Sequence, residues 1–128
     1  MATILVVEDH AIFVRALVRL LHERGRHDVT AVGSGEEALE HLPNDLFDLA
    51  LLDVSLPGVN GIDLVSQIHQ RQPRLPCLIV SGYLAPHYVN LSMAAGARGY
   101  VLKEDISGIL EAIGQVLHGG TYISHALQ

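Results

Sequence analysis

Cysteine is nearly missing from this chain: its 128 residues contain only Cys77. One thiol excludes an internal disulfide and any multi-cysteine metal site, and its place beside Leu78-Ile79-Val80 predicts a buried, inert side chain. Blocks of positive charge are missing too. The 8 lysines and arginines stand singly against 14 acids, for a formal charge of −6, whereas gripping a nucleic-acid backbone takes a clustered positive surface. No run approaches the ~18 uninterrupted apolar residues of a membrane span. The N-terminus enters an apolar run directly, without a secretory signal pattern. These absences predict a soluble cytoplasmic protein with no membrane partner. The 8 histidines include no pair at the i, i+4 spacing of a helical metal site, so they read as scattered and solvent-facing. Gly33-Ser34-Gly35 lacks the third glycine of a dinucleotide loop, and Glu36-Glu37 would face a pyrophosphate.

What remains is apolar: 49% hydrophobic residues, a mean hydropathy of +0.32 and a length that fits one domain. The centre of the chain is Leu49-Ala50-Leu51-Leu52, which ends on Asp53 and is followed by Val54-Ser55-Leu56-Pro57-Gly58-Val59-Asn60-Gly61. A run this short and apolar, closed by Pro and Gly, reads as a strand buried on both faces of a parallel sheet. Thr3-Ile4-Leu5-Val6-Val7 repeats the pattern and ends on Glu8-Asp9. Cys77-Leu78-Ile79-Val80 ends on Ser81-Gly82, and Gly99-Tyr100-Val101-Leu102 ends on Lys103. Asp28-Val29-Thr30-Ala31-Val32 is more polar and reads as an edge strand.

Helices are expected between the strands. Phe13, Leu17, Leu20 and Leu21 share a helical face that stops near Gly25. Ser34 and Glu37 have capping-box spacing before Ala38, Leu39 and Leu42. Ile62, Val65 and Ile68 mark a third helix, ended by Pro73 and Pro76. Pro86 opens a fourth, with Val89, Leu91 and Met93 as apolar contacts and Gly96 as its stop. Ile106, Ile109, Leu110, Ile113, Val116 and Leu117 make a fifth, stopped by Gly119-Gly120. Five alternations of strand and helix imply an α/β fold: a doubly wound, flavodoxin-like, five-stranded parallel sheet of order 2-1-3-4-5 with five helices.

In that order the first and third strands are neighbours, which brings Glu8-Asp9 beside Asp53 at the edge where such sheets bind ligands. Adjacent strands lie ~4.8 Å apart, so carboxylates ending both can share a small hard cation, and magnesium suits an oxygen site of this kind. Lys103 offers a point-charge phosphate partner and Ser81 a hydroxyl for a phosphoryl oxygen. Each has a plainer alternative: Asp9 as a helix N-cap, Ser81 as a turn residue, Lys103 as a surface charge. All together on one sheet edge, coincidence is the weaker account.

These segments resemble the receiver domain of bacterial two-component response regulators. The resemblance is carried by Val7-Glu8-Asp9-His10, Leu51-Leu52-Asp53 through Gly61, Ile79-Val80-Ser81-Gly82, and Gly96-Ala97-Arg98-Gly99-Tyr100-Val101-Leu102-Lys103, and it spans essentially the whole chain. It implies a CheY-like fold and a phosphoacceptor at Asp53, supplied by a histidine kinase or a histidine phosphotransfer protein. It further implies Mg²⁺ held by Glu8, Asp9, Asp53 and the carbonyl of Ser55, with Lys103 paired to the phosphoryl group. By the same resemblance Ser81 turns toward that group, Tyr100 changes rotamer, and the surface of the fourth helix, fifth strand and fifth helix is remodelled. Ser55 and Tyr83 fall where family members tune phosphoaspartate lifetime.

Where many members have proline after the lysine, in a cis peptide, this chain has Glu104. That feature, with Gly119-Gly120-Thr121-Tyr122-Ile123-Ser124, is similar to the NarL/FixJ subgroup, in which a linker and a LuxR-type helix-turn-helix domain follow. The expectation is therefore a receiver excised from a longer regulator, controlling transcription, reaching DNA only through its output domain and commonly associating as a homodimer. Two other functions compete. A haloacid-dehalogenase-type phosphohydrolase would resemble it in using Mg²⁺ and an aspartyl phosphate, but Ser55 stands where that family's second aspartate would be. A receiver-like interaction module that is never phosphorylated is the other.

Overall fold

The computed structural model describes residues 1–43 and 46–128. Among the described residues six strands, β1 (Thr3–Val7), β2 (Asp28–Val32), β3 (Leu49–Leu52), β4 (Cys77–Ser81), β5 (Gly99–Leu102) and β6 (Tyr122–Ile123), form one sheet in the order β2-β1-β3-β4-β5-β6. All of its pairings are parallel. Among the same residues five α-helices, α1 (Ala11–Glu23), α2 (Gly35–His41), α3 (Gly61–Arg71), α4 (Pro86–Ala95) and α5 (Ile106–Leu117), lie between the strands, and a 3₁₀ turn spans His125–Leu127.

The continuous apolar strands are explained by two cores. Successive side chains point to opposite faces. Leu5, Val7, Ala50, Leu52, Ile79 and Tyr100 therefore pack with α2, α3 and α4. Ile4, Val6, Leu49, Leu51, Leu78 and Val101 pack with α1 and α5. With both faces covered, no interior position of β1, β3, β4 or β5 carries a charged side chain. β2 lies at the sheet margin, as its polarity predicts.

The opposite margin differs from the expected five strands. The outer edge of β5 is not free: β6 pairs with it through Gly99↔Tyr122 and Tyr100↔Ile123. The Ser124 N–H donates to the Tyr100 carbonyl at 3.0 Å, and its buried hydroxyl accepts from the Leu102 N–H at 3.0 Å. Two strand residues carry too little periodicity to be recognised from sequence.

Helix boundaries follow local chemistry. Ser34 accepts from the Glu37 N–H at 3.2 Å, Asn60 caps α3 by accepting from Asp63 at 2.9 Å, and Asp105 caps α5 by accepting from Gly108 at 3.0 Å. Gly96 ends α4 in the left-handed region at φ 114°, as its place in the sequence predicts. Two apolar expectations need correction. Leu91 is 43% exposed and Ile106 49% exposed, so neither is core. In α4 the buried positions are Val89 and Ser92, whose hydroxyl returns to the Tyr88 carbonyl at 2.6 Å. A helix that buries a serine and exposes a leucine has no clean apolar stripe, which is why its sequence does not reveal its inner face.

Candidate functional site

The sheet ladder places the polar residues. In register, Val7 faces Leu52, and the ladder continues one step further as the Asp53 N–H donates to the Val7 carbonyl at 3.1 Å. The Glu8 N–H donates to Val32 and the Lys103 N–H to Ser81 in the same way. Glu8, Asp53 and Lys103 are thus each the first residue past an apolar strand, Asp9 is the second, and Ser81 is the last within one. The loop after Asp53 folds back so closely that a Cβ on Gly61 would lie 1.9 Å from the Asp53 carbonyl oxygen. Only glycine fits there, and its N–H closes the turn on Val54 at 2.9 Å.

Glu8, Asp9 and Asp53 do converge. Their carboxylate oxygens, together with a ring nitrogen of His10, all lie within 4.8 Å of one another. Asp53 is 3% exposed and Glu8 5%. The Lys103 ammonium reaches into this group, 2.8 Å from Glu8 Oε1 and 3.2 Å from Asp53 Oδ2, and rests 4.8 Å above the Phe13 ring. Burial, then the neighbouring charge of Glu8, pushes the Asp53 carboxyl up to about 6, against the pull of Lys103. For Lys103 burial works the other way, but its hydrogen bond to Glu8 and the charges of Asp53 and Glu8 outweigh it and hold the ammonium above its ordinary range. Three carboxylates facing one ammonium leave an excess of negative charge. Oxygen donors with that excess are the chemistry a small divalent cation fits.

Ser81, fully buried, accepts from the Tyr83 N–H at 3.0 Å. Tyr100, also fully buried, donates its hydroxyl to the Tyr83 carbonyl at 2.8 Å. One residue, Tyr83, therefore ties the end of β4 to the ring from β5. Burial keeps the Tyr100 phenol above its ordinary range, and so a donor. Ser55 is exposed and lines a neighbouring cleft of about 470 Å³ with Leu56, Ile62, Tyr88 and Leu91. No cis peptide occurs among the described residues, so the Lys103–Glu104 bond is trans.

The helix N-cap before α1 is His10, not Asp9, which removes the plainer account of Asp9. His10 is solvent-exposed, as expected of the scattered histidines, but it departs from that expectation in turning its Nδ1 to the cluster. His27 departs as well: it is half-buried and its Nδ1 accepts the Ala2 N–H at 3.0 Å. Pair spacing along a helix does not reveal a single histidine that completes a set of carboxylates, although Asp9-His10 at a strand end was a visible signal.

Residues 4–114 match the family model described as the response regulator receiver domain. The chain belongs to that family. Within it, this receiver is 34% identical over 122 residues to the transcriptional regulatory protein DegU of Brevibacillus brevis, covering 94% of this chain and 52% of that protein. It is 40% identical over 110 residues to the DNA-binding transcriptional activator DevR/DosR of Mycobacterium tuberculosis, covering 85% of this chain and 50% of that one. The chain thus spans about half the length of these curated relatives. A crystal structure of a LuxR-family two-component response regulator from Aurantimonas sp. SI85-9A1 superposes with a TM-score of 0.94 at 29% identity, covering 99% of this chain and 92% of that one. Receiver domains are signalling modules rather than turnover enzymes, and nothing supports the phosphohydrolase alternative. No helix among the described residues is long and apolar enough to cross a membrane.

Proposed function

We propose that this receiver is a phosphorylation switch in which Asp53 accepts a phosphoryl group from the phosphohistidine of a sensor histidine kinase or a histidine phosphotransfer protein. The observation that carries this reading is Asp53 itself: 3% exposed, 3.2 Å from the Lys103 ammonium, with Glu8 and Asp9 alongside. A carboxylate oxygen of Asp53 attacks phosphorus, the new O–P bond replaces the N–P bond, and the electron pair leaves with the imidazole. With its carboxyl near 6, Asp53 is mostly ionised at neutral pH and more basic than an ordinary aspartate.

Glu8, Asp9 and Asp53, with the Ser55 carbonyl, are the groups that would hold Mg²⁺. Bound there, the ion supplies positive charge against the repulsion between phosphoryl oxygens and carboxylates. Phosphorylation takes Asp53 from one negative charge to nearly two and adds acceptor oxygens. Lys103 then exchanges Glu8 for a phosphoryl oxygen. Ser81 exchanges its bond from the Tyr83 N–H for one to the phosphoryl group, which frees the residue whose carbonyl holds Tyr100. Tyr83 also stacks on Tyr88 of α4, and the Tyr100 carbonyl accepts from Ser124, whose hydroxyl donates to the Asp105 cap of α5, so the change is carried to α4, β5, β6 and α5.

The relatives being transcription regulators, we read the chain as the receiver of a longer cytoplasmic regulator. A helix-turn-helix domain beyond it would contact DNA, and phosphorylation would favour association of two copies. Acetyl phosphate with Mg²⁺, followed by intact mass, tests the core of this. One added phosphoryl group, absent in Asp53→Ala, is expected. Catalytic turnover of phosphate esters would return the phosphohydrolase, and no adduct would leave an interaction module that is never phosphorylated.

A further inference from the structure

We propose that His10 is a nitrogen donor to the cation held by Glu8, Asp9 and Asp53, and that it shifts the site's preference from magnesium toward nitrogen-preferring transition ions such as nickel. The inference rests on the reading of this site as a divalent-cation site and states what that site selects. His10 is the N-cap of α1, yet its side chain makes no capping bond to the helix. Its ring turns to the cluster instead. Nδ1 contacts Glu8 Oε1 and lies 3.6 Å from Asp9 Oδ1 and 3.8 Å from Asp53 Oδ2. The backbone N–H of the same residue donates to Glu8 Oε1 at 3.2 Å, which fixes where the ring begins.

The second observation is Lys103. Its ammonium sits 2.8 Å from Glu8 Oε1, 3.2 Å from Asp53 Oδ2 and 3.3 Å from His10 Nδ1. The chain's own cation therefore occupies the point on which two carboxylates and this imidazole converge. A divalent ion held among Glu8, Asp9 and Asp53, whose ligand atoms lie within 4.8 Å of one another and of His10 Nδ1, would meet one nitrogen among oxygens. Magnesium gains little from a nitrogen, because it prefers oxygen and gives up water reluctantly. Nickel gains most: affinity for a mixed nitrogen and oxygen site rises from manganese to nickel, and imidazole suits nickel better than carboxylate does.

The test uses the full 128-residue chain, with Mn²⁺ binding followed by electron paramagnetic resonance and Mg²⁺ and Ni²⁺ affinities measured by displacing Mn²⁺. His10→Ala is expected to weaken Ni²⁺ by about tenfold or more and Mn²⁺ by less, while leaving Mg²⁺ within about twofold. Electron spin-echo modulation from nitrogen-14 should be present on Mn²⁺ bound to the unmodified chain and absent in the variant. His10→Gln keeps a side chain able to hydrogen-bond Glu8 but removes the imidazole, and should behave as His10→Ala does. A parallel loss of all three ions in His10→Ala, rescue of nickel by His10→Gln, or no nitrogen modulation in the unmodified chain would each overturn the proposal. Those results leave Mg²⁺ binding by the unmodified chain intact. Failure of that chain to bind Mg²⁺ at all would instead bring down the cation-site reading beneath it.

Discussion

Without a divalent ion, the ionised form of Asp53 works against the fold, so Asp53→Asn should make the protein more stable. The carboxyl moves from 3.8 to about 6 because burial and Glu8 disfavour its charge, with Lys103 compensating in part. At about 1.36 kcal/mol per pH unit, the folded state bears up to about 3 kcal/mol for ionising it. Solvent at the mouth, where Asp9 and His10 are exposed, lowers this, and a gain of about 1–3 kcal/mol is expected for the isosteric amide. For a domain of this size that is a rise of roughly 4–10 °C in Tm.

The pH dependence has a definite sign. Between 3.8 and about 6 the folded protein binds the Asp53 proton more tightly than the unfolded chain does. The penalty is therefore absent below 3.8, grows through this window and is complete above it. Thermal melts in EDTA at neutral and acidic pH, with Mg²⁺ added in parallel, are the assay. Asp53→Asn should melt higher than the unmodified chain at neutral pH, the gap should close toward pH ~4, and Mg²⁺ should stabilise only the unmodified chain. A variant that melts at or below the unmodified chain in EDTA would refute the electrostatic reasoning.

Further outcomes follow from single contacts. Ser124→Ala leaves the buried Leu102 N–H without its acceptor and should cost about 1–3 kcal/mol in urea unfolding, with faster amide exchange at Leu102; unchanged exchange there would contradict the role given to β6. Gly61→Ala forces a Cβ against the Asp53 carbonyl and should destabilise by more than ~2 kcal/mol while slowing phosphorylation by acetyl phosphate. Burial, then the nearby N-terminal charge, lowers the His27 pKa below its ordinary 6.5. Its contribution is therefore complete above 6.5 and is lost as pH falls through the lower folded value. His27→Phe should flatten that part of the stability profile, and an unchanged slope would count against the Ala2–His27 contact.

How legible each residue is in the sequence depends on how strongly the fold constrains it. Leu49–Leu52 and residues 4–7 are covered by helices on both faces, so their sequences are unbroken apolar runs, and the first polar residue after each marks the site. That makes Glu8, Asp9, Asp53, Ser81 and Lys103 stand out along the chain. β6 does not, because Tyr122-Ile123 is held by neighbours on β5 rather than by a pattern of its own. Leu91 and Ile106 mislead because apolar character at helical spacing does not separate the buried side of a helix from a cleft at its edge. His10 is visible at the end of Val7-Glu8-Asp9-His10, but its role is not, because that lies in a juxtaposition across β1 and β3 rather than in spacing along the chain.

The central claim, that Asp53 is the acceptor, is tested most directly by borohydride trapping. The chain is phosphorylated with acetyl phosphate and Mg²⁺, reduced so that an aspartyl phosphate becomes homoserine, digested and sequenced by tandem mass spectrometry. Homoserine at position 53, with Glu8 and Asp9 unreduced, is the predicted result. A reduced side chain at Glu8 or Asp9 with Asp53 unmodified, or a phosphoryl group on a residue that borohydride does not reduce, would contradict it.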